Sequence, residues 1–235
     1  MKTLKLRSIF AFLMILSSLS LFSQETGTFT DKRDGHEYKW VKIGYQLWMA
    51  ENLAYLPAVR PPSSESYTTR YYYVYDFSGK KAKKAKASAN YSTYGVLYNW
   101  PAAMNGATSS NTNPSKVQGV CPSGWHLPSD AEWKQLIDFI SSDGYNGTEG
   151  TALKATSGWK YTKCTDNYGF SALPGGSRAI YGSFDGLGYN GMWLSATERD
   201  STLAGRCYLS HFKDDVNLFY YYKDAGYSVR CVKDN

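Results

Sequence analysis

The side chains that most often perform acid–base chemistry or bind metals are few in this chain and widely separated. Histidine occurs at three positions only, His36, His126 and His211. The sequence contains no H-E-x-x-H zinc motif, no G-x-S-x-G nucleophile turn and no G-x-x-x-x-G-K-[ST] phosphate loop. Its 20 acidic residues leave a hydrolase with paired carboxylates open, but no pair stands out. The sequence therefore predicts no catalytic residue, no metal site and no cofactor.

The amino-terminal segment has the pattern of a cleaved secretion signal. Three cations, Lys2, Lys5 and Arg7, precede an almost unbroken apolar stretch at positions 9–22. As a helix this stretch would span about 21 Å, which is short of a bilayer core of about 30 Å. We therefore expect residues 1–24 to be a signal peptide and the protein to be exported to the periplasm, cell surface or medium. A retained membrane anchor is the alternative. Nothing later in the sequence is apolar enough to span a membrane.

The formal charge of +6 does not describe the body of the protein. Three cations belong to the signal segment, and five more lie in the lysine run at positions 80–86. Without them, 18 basic residues face 20 acidic ones. A nucleic-acid-binding protein needs a sustained basic surface, so we expect no nucleic-acid partner and a solvated lysine-rich loop.

The four cysteines indicate disulfides. An even number of cysteines in an exported chain predicts two bridges, and three pairings are compatible with the spacing. No C-x-x-C motif occurs, which argues against zinc. The cysteines are Cys121, Cys164, Cys207 and Cys231.

The secondary structure that the sequence predicts consists mainly of short strands separated by glycine-containing turns. The clearest helix follows Ser129, which forms an S-x-x-E capping box with Glu132 ahead of an apolar stripe. A second short helix is expected near Trp100, and a terminal antiparallel meander over 206–232. We expect one α+β domain, residues 25–235, with an antiparallel sheet core, two short helices and long loops.

Six ordered segments resemble the Fibrobacter succinogenes major paralogous domain family, and together they cover nearly all of the chain after the signal. Small departures are Pro101, Leu194 and the enlarged loop at 79–88. The segments are DKRDGHEYKWVKIGYQLWMAENLAY, YGVLYNWPAAMN, CPSGWHLPSDAEWKQLIDFI, YGFSALPGGSRAIYGSF, GYNGMWLSATE and YSVRCVKD.

The resemblance implies an exported bacterial protein with a C-type lectin-like fold. In that fold a cysteine before the second helix pairs with one in the last strand. These positions match Cys121 and Cys231, which leaves Cys164 to pair with Cys207. The family supplies no functional residues that could be transferred to this chain.

Sugar binding is the first function to weigh on such a fold. The E-P-N, Q-P-D and W-N-D triplets of calcium-dependent lectins are absent. A calcium-independent site would use aromatic faces, and the candidate ligand-binding residues are Tyr181, Phe184, Tyr189 and Trp193. They lie in the 175–197 region, and the block at 219–222 supplies further aromatic rings.

We therefore expect a non-catalytic recognition module whose partner is a glycan or a cell-surface protein. One alternative is an enzyme, because LPSDAEW resembles a segment of formylglycine-generating enzymes, although that segment is scaffold. The other alternative is a structural or adhesive surface subunit. The fold alone does not choose among them.

Overall fold

The computed structural model describes residues 24–160 and 163–234. Apart from Gln24, the expected signal peptide lies outside the described residues. Within them, no helix combines the length and the apolar character needed to cross a membrane.

The described residues form short strands and short helices. Every pairing between the strands is antiparallel. The strands are β1 (Thr26–Thr30), β2 (Glu37–Ile43), β3 (Gln46–Met49), β4 (Tyr72–Tyr73), β5 (Leu97–Tyr98), β6 (Trp125–His126), β7 (Gly175–Arg178), β8 (Phe184–Leu187), β9 (Asn190–Glu198), β10 (Leu203–Ser210), β11 (Asn217–Tyr222) and β12 (Val232–Lys233). The helices are α1 (Ala82–Lys86), α2 (Ala89–Tyr94), α3 (Trp100–Met104), α4 (Asp130–Ile140) and α5 (Glu149–Leu153), with a π-helical turn at Ser141–Tyr145.

The α+β class with mostly antiparallel sheets is confirmed, but the prediction of two short helices is wrong. Helices α3 and α4 are the two expected ones, and α4 has its capping box at Ser129. Helices α1, α2 and α5 have five or six residues each, which is too short to show an apolar stripe in sequence, and they were missed. Helix α3 is equally short, but the cap residue Asn99 and Pro101 in its first turn indicated it.

The carboxy-terminal segment holds the two largest sheets together. The five-stranded sheet has the order β1-β2-β3-β12-β6, and the three-stranded sheet has the order β11-β10-β9. Residues Tyr227–Val232 were expected to extend the terminal meander, and that prediction is wrong. Instead, this segment crosses between the sheets and pairs in turn with Tyr98, Trp193 and Trp48.

Four large aromatic side chains fill the space between these sheets and α4, and we call them the aromatic core. Trp48, Trp133, Phe170 and Trp193 are all almost completely buried. The ring centroids of Trp48 and Trp133 lie 4.5 Å apart, and those of Phe170 and Trp193 lie 6.3 Å apart. Burial of this much apolar ring surface is a main source of stability in a small domain.

A buried histidine ties the start of α4 to the end of the chain. The His126 ring lies 2.6 Å from Glu132 Oε1 through Nε2 and 2.7 Å from Asp234 Oδ1 through Nδ1. Burial lowers the pKa of His126, but the hydrogen bonds and charges of Glu132 and Asp234 outweigh burial, so its net pKa is raised. His126 is therefore a structural link between α4 and the carboxyl terminus, with carboxylates on both sides.

One predicted disulfide is present and the other is not. Cys121 and Cys231 are bonded across a separation of 110 residues, whereas Cys164 and Cys207 are both thiols. Cys207 lies in the buried interior of β10, between Trp193 of β9 and Leu218 of β11. Cys164 is partly exposed, on a loop near Lys154 and Asp214. The even cysteine count was misleading because the sheet keeps Cys207 in the core.

Alkylation of the native protein should therefore distinguish the two thiols. We expect iodoacetamide to modify Cys164 in the folded protein, whereas Cys207 should react only after denaturation, since a fully buried thiol is inert. Intact mass and peptide mapping measure this, with Cys164→Ser as the control that removes the native-state label. Resistance of all four cysteines under denaturing, non-reducing conditions would show that a second disulfide exists.

Candidate functional site

The strongest site candidate is a cleft of about 760 Å³, which we call the polar cleft. Strands β1 and β2, the loop after β3, helix α2 and the chain around 155–173 form its walls. Its volume is typical of small-molecule sites. The lining side chains used below are Glu51, Asn52, Tyr91, Asp166 and Ser171.

One wall of the cleft is a loop with an unusual backbone, residues 166–171. Asp166 and Ser171 have φ angles of 47° and 52°, in the left-handed region that non-glycine residues rarely adopt. The Asp166 carboxylate holds the loop closed, since it accepts hydrogen bonds from Ser171 N at 2.7 Å and from Ser171 Oγ at 2.8 Å. Two such residues at the ends of one loop are the kind of local strain that often marks functional sites.

Asn52 joins the floor of the cleft to the aromatic core. Its side-chain oxygen accepts hydrogen bonds from Trp193 Nε1 at 2.8 Å and from Arg230 Nη2 at 3.0 Å. Its amide nitrogen donates to Tyr94 O at 3.0 Å and to Ser228 Oγ at 3.3 Å. The side chain therefore uses its full hydrogen-bonding capacity, which fixes its position.

Below Asn52 lies Arg230, which is completely buried. Its guanidinium donates to the carbonyl oxygens of Phe170 and, at 3.3 Å, Ser171, both in the 166–171 loop. The guanidinium also lies over the rings of Phe170 and Trp193, with centroid distances of 4.3 Å and 5.5 Å. These carbonyl and ring contacts replace part of the water that the cation loses on burial, and Arg230 Nε is buried without a hydrogen-bond partner.

The charges around Arg230 explain why it remains a cation at neutral pH. Burial lowers its pKa to about 9, and the negative charges of Asp166 and Glu51 oppose this change. Burial raises the pKa of Asp166, opposed by the hydrogen bonds from Ser171 and by the charge of Arg230. Glu51 lies at the rim, with Oε2 4.0 Å from His36 Nε2. The cleft thus has two acidic groups above one buried cation.

This arrangement favours hydrogen bonding to a neutral polar ligand. Carboxylate and hydroxyl groups line it, and Tyr91 supplies one partly buried aromatic ring. Groups held in place in this way can hydrogen-bond a polar molecule without much ordering cost. Among residues 24–160 and 163–234, no group of three or more histidine, cysteine or acidic side chains could hold a metal ion.

The structure does not bring the predicted ligand-binding residues together in this cleft. Tyr181 is 89% exposed in the turn between β7 and β8. Phe184 is half-buried, with its ring centroid 5.0 Å from that of Tyr75. Tyr189 is also half-buried, and its ring centroid lies 4.6 Å from Lys160 Nζ. None of these residues lines the polar cleft.

Trp193, the fourth predicted ligand-binding residue, lies inside the protein. Its side chain is completely buried in the aromatic core, and its indole nitrogen is bonded to Asn52. A strand with one solvent-facing side would expose alternate residues, but both faces of β9 are covered. Trp193 therefore contributes to the cleft indirectly, through its hydrogen bond to Asn52.

Sequence reasoning missed Glu51, Asn52, Asp166, Ser171 and Arg230. One signal was present for Arg230, which is a charged residue inside the apolar run YSVRCV next to a disulfide cysteine. A charged side chain in a segment that must be buried is stable only if other groups hydrogen-bond or pair with it. The other four residues are ordinary loop residues in sequence.

Arg230→Lys tests whether the guanidinium holds the cleft together. A lysine ammonium is a single point donor and cannot bond Asn52, Phe170 and Ser171 in the same geometry. We expect the free energy of unfolding to fall by about 2 kcal/mol or more, measured by urea denaturation. The control is Arg199→Lys at an exposed position, which should change stability by less than about 0.5 kcal/mol. Equal stability of both variants would contradict the role given to Arg230.

Comparison with known proteins identifies the family of this fold and cleft. Residues 41–233 match the family model of the Fibrobacter succinogenes major domain, and this range includes Glu51, Asn52, Tyr91, Asp166 and Ser171 of the cleft, but not strand β1 or His36. A search of curated proteins and of solved structures found no match. Because the matched range covers most of the chain, the protein belongs to the Fibrobacter succinogenes major domain family.

Proposed function

We propose that this protein is an exported, non-catalytic recognition module that binds a glycan in the polar cleft. The observation that carries the proposal is the fixed set of hydrogen-bonding groups at Asp166, Ser171 and Glu51 above the buried Arg230. Sugars present closely spaced hydroxyl groups that donate and accept at once. Rigid carboxylate and hydroxyl partners therefore match them at low entropic cost.

Two features support an exported, C-type lectin-like scaffold as part of this proposal. The Cys121–Cys231 disulfide joins the segment before α4 to the segment before the last strand, as the family resemblance implies. A structural disulfide also favours an oxidising compartment, in agreement with the amino-terminal pattern of cations and apolar residues. The periplasm, the cell surface and the medium are all compatible with these features.

The cysteines weigh against a formylglycine-generating type of enzyme. Such an enzyme needs reduced or copper-binding thiols beside its substrate. Cys207 is fully buried, and burial raises the pKa of its thiol, so it cannot reach a substrate or ionise readily. Cys164 and Cys207 both lie outside the lining of the polar cleft.

A second candidate, a structural or adhesive subunit, is favoured by strand β11. This strand lies at the edge of its sheet in the described part of the chain, and an edge strand can pair with another chain. Phe219, Tyr220 and Tyr222 are each 40–45% exposed along it. Light scattering of the purified chain distinguishes this candidate, because assembly without any glycan would favour it.

Glu51→Gln tests the glycan proposal at a rim residue whose change should leave the fold intact. Loss of one charged acceptor should weaken glycan binding by about tenfold, since hydrogen bonds to charged groups contribute about 1.5–3 kcal/mol. A glycan and polysaccharide array identifies the ligand, and isothermal titration calorimetry measures the affinity. Asp166→Asn should have a larger effect, because Asp166 also closes the loop.

The matched control is Glu37→Gln, an exposed position on β2 outside the cleft, which should bind as the unaltered protein does. Binding should also persist in EDTA. Array binding that Glu51→Gln and Asp166→Asn leave unchanged would place the site elsewhere. Absence of binding to every glycan would reject the proposal.

A further inference from the structure

We infer that helix α1 and the two residues before it form a binding surface for an acidic polysaccharide. This surface, which we call the lysine patch, consists of Lys80, Lys81, Lys83, Lys84 and Lys86. None of these residues lines the polar cleft, so the inference does not depend on the glycan proposal.

The fold anchors the backbone of the lysine patch and leaves its side chains in solvent. The helix is held by its alanines, since Ala85 is completely buried and Ala82 packs against the hydrophobic core. Ser88 follows the helix, and its hydroxyl donates a hydrogen bond to Ala85 O at 2.8 Å. Four of the five lysines are exposed, and Lys86 is partly exposed. The patch is therefore an ordered surface on which the positive charges remain accessible.

The positive charges of the lysine patch are not balanced by acidic neighbours. None of its lysines forms an ion pair with a carboxylate among the residues that the structure describes. By contrast, the exposed Lys134 on α4 is paired with Asp138. The sequence contains no acidic residue between Asp76 and Asp130. The patch therefore leaves an excess of positive charge that a polyanion can neutralise.

The lysine patch fits a chain of repeated negative charges better than a single small anion. A lysine ammonium is a hydrated point charge and lacks the planar fork with which arginine binds one phosphate or carboxylate. All five lysines lie within positions 80–86. Runs of this density are typical of surfaces that bind nucleic acids or heparin-like acidic polysaccharides.

Two observations favour a polysaccharide over a membrane or a nucleic acid. The other residues within the patch are alanines, so no large apolar side chain is available to insert into a bilayer. Outside the patch and the expected signal peptide, 20 acidic residues outnumber 18 basic ones. A nucleic acid would therefore meet no sustained basic surface, whereas a thin acidic polysaccharide needs only the patch.

The double variant Lys80→Gln, Lys84→Gln tests the lysine patch. Glutamine removes the charge and has a helix propensity close to that of lysine, so α1 should remain folded. The matched control is the double variant Lys32→Gln, Lys213→Gln, which removes the same charge at exposed positions elsewhere. Biolayer interferometry with immobilised polygalacturonate or alginate measures binding, and uncharged dextran serves as the reference. Thermal unfolding by circular dichroism checks that both variants are folded.

We expect the unaltered protein to bind both acidic polysaccharides at about 150 mM salt and to ignore dextran. Each lysine that neutralises a fixed anion releases on the order of one counterion, so affinity should fall as salt rises. Lys80→Gln, Lys84→Gln should weaken binding by about tenfold and lower the slope of log affinity against log salt by roughly one to two units. The control pair and Glu51→Gln should bind both polysaccharides as the unaltered protein does.

Three results would overturn the inference. Equal weakening by the control pair would show that net charge, and not the lysine patch, is responsible. Absence of binding to both acidic polysaccharides at about 150 mM salt would show that the patch is only a solvated surface. Tighter binding to vesicles containing phosphatidylglycerol, or to duplex DNA, would assign the patch to a membrane or a nucleic acid instead. None of these results bears on the polar cleft, which the Glu51→Gln experiment tests separately.

Discussion

The structure depends most on the burial of one cation, Arg230, inside an aromatic core. A buried guanidinium loses its water, and here carbonyl oxygens, the Asn52 amide oxygen and two aromatic faces replace part of it, while Nε has no hydrogen-bond partner. Because those carbonyls belong to Phe170 and Ser171, the same cation fixes the loop that forms one wall of the cleft. The contacts of Arg230 that stabilise the folded protein therefore also set the geometry of the candidate site.

The carboxy-terminal segment makes this arrangement possible. It carries Arg230 between the two main sheets, is bonded to Cys121 through the next residue, and ends as β12 within the five-stranded sheet. His126 then links its last carboxylate, Asp234, to the start of α4. A rigid frame of this kind holds polar groups in place with little ordering cost on binding, as a recognition site requires.

Local patterns in the sequence were sufficient for local structure. The Ser129 capping box and the apolar stripe of α4 act within a few residues, so both were predictable. The family resemblance supplied the Cys121–Cys231 pairing. The cleft was not predictable, because Arg230 and Asn52 meet across 178 positions and the family segments that contain them carry no known functional role. The burial of Trp193 was not predictable for a related reason, since burial of both faces of β9 is a property of the assembled fold.

We propose that the polar cleft above Arg230 is where this protein binds its ligand. Nuclear magnetic resonance of the isotope-labelled protein can locate the site, during titration with the glycan that binds most tightly in calorimetry. We expect the signals of the Asn52 side-chain amide and the Ser171 backbone amide to shift progressively and to saturate together. Shifts confined to the turns around Tyr181 and Tyr189, with Asn52 and Ser171 unchanged, would show that the ligand binds elsewhere.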